Sequence, residues 1–245
     1  ANIGRASHAE IMSTIAGKVR EGVTLSTIGF GMGNYKDETM EQLANKGNGN
    51  NYYIDGLSQA KRVFQQQLGS TLEVVAQDVK LQVDFNPAAV ARYRLIGYEN
   101  RDIADKDFRN DKVDAGEVGG GHSVTAVYEV VLTNTKSSPV TVRLRAKAPT
   151  GDAPAVESTF KMEPGAISAS FDAAPQSLRF AGAVAEFGEI LRHSPHAAGV
   201  SFAEVEKVAR AAAKDRQDQQ EMLDLLHRAD TLAGGKPLTV AKAAQ

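Results

Sequence analysis

Gly22-Val23-Thr24-Leu25-Ser26-Thr27-Ile28-Gly29-Phe30 runs into Gly31-Met32-Gly33-Asn34-Tyr35, and a helical pattern follows at once. The first nine residues have no charge and are rich in β-branched side chains, as a buried parallel strand requires. The glycine-rich turn leads to residues 37–46, where Met40, Leu43 and Ala44 share one helical face and Gly47 predicts a C-terminal stop. A strand that enters a helix through such a turn is the repeating unit of a parallel α/β layer. Upstream, Ile11, Met12, Ile15, Ala16 and Val19 form one stripe over residues 9–21, with Ser7 as cap and Gly22 as stop. Downstream, Tyr52-Tyr53-Ile54 predicts a second strand. Asp55 predicts the N-cap of a third helix carrying Leu57, Ala60, Val63, Phe64 and Leu68.

Two parallel strands cannot bury both faces of a sheet, and the strand from Val23 to Phe30 is left with a raw edge. Either a second copy covers it, giving a homodimer through that strand, or the chain is the C-terminal piece of a longer protein. The opening Ala1-Asn2-Ile3-Gly4, without Met, agrees with the second expectation.

The hydrophobic period changes near residue 77. Val79, Leu81, Val83 and Phe85 alternate with Asp78, Lys80, Gln82 and Asp84, which predicts a strand with one wet face. Further strands are expected over 91–98, 123–133, 140–147, 155–162 and 166–172, linked by turn-rich pieces such as Thr135-Lys136-Ser137-Ser138-Pro139. Short strands at this spacing predict an antiparallel β-sandwich. Helices close the chain. Residues 176–192 are apolar around most of their circumference, which predicts burial on more than one side, and Ser201 with Glu204 spells a capping box. The fold class expected is an α/β remnant over residues 1–76 followed by an α+β region, a β-sandwich with C-terminal helices, over 77–245.

Composition removes several functions. With 245 residues and no Cys, a disulfide scaffold and a Cys-ligated metal site are excluded. A net charge of −2 offers no global basic field for nucleic acid or membrane. No apolar run of about 18 residues predicts a transmembrane helix.

Beyond these physical signals, the run from Gly22 to Tyr35, Met40-Glu41-Gln42-Leu43-Ala44, Gly47-Asn48-Gly49-Asn50 and Tyr53-Ile54-Asp55 resembles the end of a bacterial von Willebrand factor type A domain. Phe85-Asn86-Pro87, Tyr93-Arg94-Leu95-Ile96-Gly97-Tyr98, Asn110-Asp111-Lys112-Val113-Asp114-Ala115-Gly116-Glu117 and Gly121-His122-Ser123-Val124 extend the likeness to the YfbK-type family, in which a C-terminal domain of unknown function follows the A domain. The resemblance implies a Rossmann-like A domain and a non-catalytic role in protein interaction or adhesion, outside the cytoplasm, with a protein partner not yet identified. It implies a metal site on an Asp-x-Ser-x-Ser loop, and no such motif occurs in these residues. No cofactor is therefore expected in this chain, and Mg²⁺ is expected only in a longer protein. Met32, Asn34 and Tyr35 would flank the ligand face of the intact A domain. The alternatives are an accessory subunit of a metal-dependent assembly machine, or a hydrolase.

Other candidates meet plainer readings. The turn 31–35 is neither G-x-G-x-x-G nor a Walker A sequence, so a tight turn with Asn34 as cap is expected over phosphate binding. Asp102, Asp105, Asp107, Asp111, Asp114 and Glu117 are interrupted by Arg101, Lys106, Arg109 and Lys112 and lack EF-hand spacing; internal pairing is expected over calcium. His193 and His196 lack a third zinc ligand nearby, and His193 is expected at a helix C-terminus. His122 and Ser123, adjacent in a strand, would point to opposite faces and make a poor base and nucleophile. Lys207, Arg210, Lys214 and Arg216 are interleaved with acids and carry no aromatic residue for stacking bases, so no nucleic-acid partner is expected.

Overall fold

The computed structural model describes residues 8–21, 23–31, 36–66, 73–98, 103–113, 115–133, 137–150 and 153–237. The chain is a mixed α/β protein of two compact units built from interleaved segments. The first takes residues 1–83, 103–123 and 142–160. The second takes 84–102, 124–141 and 161–245.

In the first unit, α1 (His8–Arg20), α2 (Asp37–Lys46) and α3 (Leu57–Lys61) accompany a parallel pair, β1 (Thr27–Phe30) and β2 (Asn51–Ile54), in register from Thr27 opposite Asn51 to Phe30 opposite Ile54. The expected parallel pairing is present, but β1 starts four residues later than the pattern from Val23 suggests. Leu25 already bonds elsewhere, its N–H donating to the Gly47 carbonyl at 2.7 Å. Buried Thr27 anchors the strand, its Oγ1 lying 2.9 Å from both the Met40 carbonyl and Asn51 Oδ1. Gly56, not Asp55, stands at the N-cap of α3, which continues as a π-helical turn over Arg62–Gln66. Ser7, Gly22 and Asn34, the other expected caps and stop, lie outside the described residues.

Gly47 ends α2 as expected, though not in the left-handed conformation. Its φ is −93°, and Asn48 takes the positive φ of 51°. Glycine is needed at 47 for space: a Cβ there would sit 2.5 Å from Leu25 Cβ.

A four-stranded sheet follows, in the order β5-β3-β7-β8, from β3 (Val74–Phe85), β5 (Gly116–Gly119), β7 (Val140–Lys147) and β8 (Val156–Lys161). The alternation expected along β3 is inverted at its centre: Lys80 is 4% exposed and Leu81 60%. The cause is a register irregularity against β5 between Ala76 and Val79, with Asp78 in the left-handed region at φ 49°. A bulge shifts which residues face which side. Asp78 holds it, accepting from the Ala115 N–H at 3.1 Å and pairing with Lys147. Glycine-rich β5 escaped the sequence reading because Val118 is its single strand-forming side chain.

In the second unit, β4 (Val90–Ile96) and β6 (Val127–Leu132) form an antiparallel ribbon, with a register shift between Val90 and Arg92. Phe85 stacks on Tyr93 with ring centroids 4.3 Å apart. Residues 122–126 are not strand, so His122 does not start β6; its N–H turns back to the Gly119 carbonyl. Residues 166–172 form no strand either. A 3₁₀ turn at Pro164–Ala166 overlaps their start, and Ser170 and Phe171 accept from Ala173 and Ala174 in local turns.

Three helices complete this unit: α4 (Gln176–Leu191), α5 (Phe202–Ala212) and α6 (Gln217–Ala233). Their shared core includes Ala183, Ile190, Phe202, Val205, Ala209, Leu223 and Leu226. Both halves of the Ser201–Glu204 capping box are formed at the start of α5. His193 follows α4 at φ 55°, with its N–H on the Ile190 carbonyl. No described helix is long and apolar enough to cross a membrane.

Candidate functional site: a groove along α4 and its buried carboxylate

α4 is less enclosed than its composition predicts. One stripe packs on α5, while Ser177, Phe180, Ala181, Val184, Ala185 and Gly188 line an open cavity of about 540 Å³. Ile96 and Val127 of the β4–β6 ribbon line it too, with Thr125 just before β6 and with Asp218 and Gln219 at the start of α6. From Ser177 to Arg192 the lining follows the helix for about 22 Å at 1.5 Å per residue. Val184 in the floor is 39% exposed, and Leu178 and Leu191 on the same helix are also exposed. The volume is in the range of ligand sites, and the floor is apolar with small residues that admit close approach.

Glu189 closes one end of the groove. It is 2% exposed, so its charge demands partners. Arg94 of β4 donates to its Oε2 at 2.6 Å, and the Ser194 hydroxyl donates to the same oxygen at 2.8 Å. Arg192 lies 3.5 Å from Oε1. The other side of the Arg94 fork grips Glu129 of β6 at 2.7 and 3.0 Å. Burial raises the Glu189 carboxyl, but the Ser194 and Arg94 hydrogen bonds outweigh it and hold it below its ordinary value.

One turn earlier, Glu186 goes the other way. Burial pushes its carboxyl up, the Glu189 and Glu129 charges add to the push, and Arg94 only partly offsets it. A carboxyl raised in the folded state costs stability as pH climbs through the window between its ordinary and raised values. Glu186→Gln is therefore expected to raise the melting temperature at neutral pH, with the gain vanishing below the ordinary carboxyl range. Thermal unfolding of both forms from about pH 3 to about pH 8 reads this. Glu189 contributes with the opposite sign: its stabilisation is present above the ordinary carboxyl range and is lost as pH falls through its lowered value.

With this geometry in view, relatives can be placed. A family model described as "Uncharacterized protein YfbK, C-terminal" matches residues 70–140 and 134–232. Uncharacterized protein YfbK of Escherichia coli (strain K12) is 35% identical over 251 residues, covering 94% of this chain. The chain belongs to the YfbK C-terminal family. It spans 43% of the length of the Escherichia coli YfbK protein. Among solved structures, von Willebrand factor type A from Catenulispora acidiphila aligns with 92% of this chain and 55% of its own, at 12% identity and a TM-score of 0.41.

For this YfbK-family chain, the ligand-face candidates Met32, Asn34 and Tyr35 lie outside the described residues, as do Asp102 and Asp114 of the acidic loop. The rest of that loop disperses its carboxylates among separate partners. Asp111 meets Arg145 at 2.9 Å, Asp107 accepts from Asn110 Nδ2 at 3.2 Å, and Glu117 accepts from Asn48 Nδ2 at 2.9 Å. The Arg145 hydrogen bond holds Asp111 below the usual carboxylate range. The loop's carbonyls serve cations too: Asn110 accepts from buried Lys80 at 2.7 Å and Asp111 from Lys147 at 3.0 Å. Among the described residues no three His, Asp or Glu side chains converge as a metal site.

Ser194 donates to Glu189 and accepts from the His196 N–H at 3.3 Å, which makes it the cap of the turn Pro195–Ala197. On the helical face expected to be mixed in charge, Arg210 pairs with Glu206, and Arg216 with Asp218 at 2.6 Å.

Sequence reasoning missed the Arg94–Glu189 link. The available signal was a pair of acids, Glu186 and Glu189, within the otherwise apolar run from Phe180 to Leu191. Such a residue is seldom buried unless paired.

Proposed function

We propose that this chain is the protein-interaction portion of a longer, non-catalytic von Willebrand A-type protein that works outside the cytoplasm. In this reading, residues 1–76 are the C-terminal part of a Rossmann-like A domain, and residues 77–245 are the family's β-sandwich with C-terminal helices. The observation that supports it is the α4 groove. Its floor is apolar and open, and its buried carboxylate is engaged by Arg94 and Ser194. Such a lining suits apolar side chains of a partner protein.

The residues here do not fit the family's Mg²⁺ site, since no Asp-x-Ser-x-Ser is present and the described acids are dispersed. Mg²⁺ belongs to A-domain loops of the longer protein. There the outer edge of β1, with Phe30 exposed at its end and Val23 exposed on the approach to it, joins the rest of the A-domain sheet; in the isolated chain that edge pairs with a second copy. Light scattering of the isolated chain should give a dimer mass, and a monomer mass removes the homodimer.

The groove itself is tested by placing a photo-crosslinking residue at Val184 in the longer protein, in the native bacterium. A discrete protein adduct is expected, and Ala181→Asp in the groove lining should abolish it while leaving the circular dichroism unchanged. No adduct, or one indifferent to Ala181→Asp, overturns the reading.

A further inference from the structure

The chain contains one Asn-Gly step, Asn48-Gly49, in the turn that leads from α2 into β2. Asparagine before glycine is the peptide step most prone to lose ammonia, because a residue without Cβ lets its backbone nitrogen reach the side-chain amide before it. The fold places this step where both nitrogens of that reaction are already engaged.

The nucleophile is the Gly49 nitrogen, and its N–H donates to the Ala44 carbonyl at 3.0 Å. The leaving group is Asn48 Nδ2, which donates to Glu117 Oε1 of β5 at 2.9 Å. Asn48 is half-buried and holds a φ of 51°, a left-handed conformation that asparagine tolerates better than most residues. Its neighbours are tied to the path of β1. The Leu25 N–H donates to the Gly47 carbonyl at 2.7 Å, the Asn50 N–H to Ser26 Oγ at 3.1 Å, and the Thr27 N–H to the Asn50 carbonyl at 2.9 Å. Gly49 lies so close to Leu25 that a Cβ on it would stand 2.1 Å from the Leu25 carbonyl oxygen. A residue seated this closely cannot rearrange its backbone without first parting from Leu25.

We propose that Asn48-Gly49 is a fold-gated modification site: it keeps its amide while α2, β1 and β5 hold it, deamidates when that contact opens, and then blocks the contact from re-forming. The chemistry needs only water. The Gly49 nitrogen gives up its proton and bonds to Asn48 Cγ, the Cγ–Nδ2 bond breaks, and Nδ2 leaves as ammonia. Water opens the resulting five-membered imide at either carbonyl, leaving aspartate or isoaspartate. Both products put a carboxylate where a donor stood, facing Glu117 at hydrogen-bond distance, so repulsion replaces a bond. Isoaspartate also adds a methylene to the backbone between Gly47 and Gly49, where neither glycine has room for one more carbon. A chain that opens here is therefore marked, independently of what the α4 groove binds.

Peptide mapping of the whole chain tests this. The chain is kept in mildly alkaline buffer with and without guanidinium chloride, and the tryptic peptide 47–61 is fragmented to locate the mass gain. Residue 48 should convert at least about tenfold more slowly in the folded chain, since two hydrogen bonds of ordinary worth must break first. Glu117→Ala frees Nδ2 and should speed conversion of the folded chain. Asn48→Asp reproduces one product. It should melt below wild type and below Asn48→Gly, which loses the same hydrogen bond without gaining a charge and accepts a positive φ. Adding Glu117→Gln to Asn48→Asp removes the repulsion and should restore most of the loss.

Equal rates with and without denaturant overturn the proposal, as does a mass gain at Asn50 or Asn51 in place of residue 48. An Asn48→Asp chain that melts with wild type removes the block on reclosure and overturns it too. Failure of Asn48→Asp to fold where Asn48→Gly folds supports the block.

Discussion

Glu189→Ala is expected to destabilise the chain by roughly 3–5 kcal/mol, the usual cost of removing one member of a buried ion pair. The reason is what it leaves behind. Arg94 keeps a guanidinium nitrogen aimed at an empty position 2.6 Å away, and the Ser194 hydroxyl loses its acceptor inside a buried turn. Glu129 remains on the other side of the fork, but more than half of its side chain is in solvent, so it cannot stand in for a carboxylate under α4. Glu189→Gln should cost less, because its amide oxygen still accepts from Ser194. The double replacement Arg94→Met with Glu189→Leu should recover most of the loss, since apolar residues of similar volume often match a buried pair. Urea unfolding followed by circular dichroism measures all four proteins. A loss below about 1 kcal/mol for Glu189→Ala, the size of an exposed pair, would show that water already reaches the site.

Gly49→Ala is expected to cost about 3 kcal/mol or more, at the upper end of overpacking. A Cβ on residue 49 would lie 2.1 Å from the Leu25 carbonyl oxygen and 2.5 Å from its carbon. Both are backbone atoms on the approach to β1, so no side-chain rotation relieves the clash. The segment is also tied from the other side, by the Gly49 N–H to the Ala44 carbonyl and the Leu25 N–H to the Gly47 carbonyl. Either the C-terminus of α2 or the path into β1 must move. Gly17→Ala is the contrast. It lies within α1 with nothing within 4 Å of its Cβ, and should be neutral or stabilising by up to about 1 kcal/mol. Thermal melts of the two variants should therefore shift in opposite directions or by very different amounts. Similar melting temperatures for both would mean that the Gly49–Leu25 approach is not a constraint.

These residues mark where reading by pattern succeeds and where it stops. The long apolar periodicity of α4 placed that helix within a residue of its observed ends, and the Ser201–Glu204 pair announced the start of α5. Those signals are local: a few neighbouring residues contain all the information. The groove was not legible, because nothing in the run from Phe180 to Leu191 says which apolar side chains α5 will cover and which will stay open. Nor was the acidic loop's outcome visible beyond its interrupting bases. Asp111 finds Arg145 and Asn110 finds Lys80 across gaps of about thirty residues, which only the packing of β3 and β7 closes.

Alone, the amino-acid sequence determined the order of helices and strands among the described residues up to 66, the parallel pairing that order demands, the helical C-terminal third and membership of the YfbK family. It did so because periodicity, capping and glycine punctuation act over single turns and strands. Tertiary structure decided the rest. A bulge at Asp78 turned Lys80 inward and Leu81 outward, reversing an alternation that a two-residue period had predicted. The burial of Glu189 followed from where β4 delivers Arg94. The open edge of β8 followed from sheet order. Each depends on which distant backbone lies alongside, and a sequence period carries no record of that neighbour.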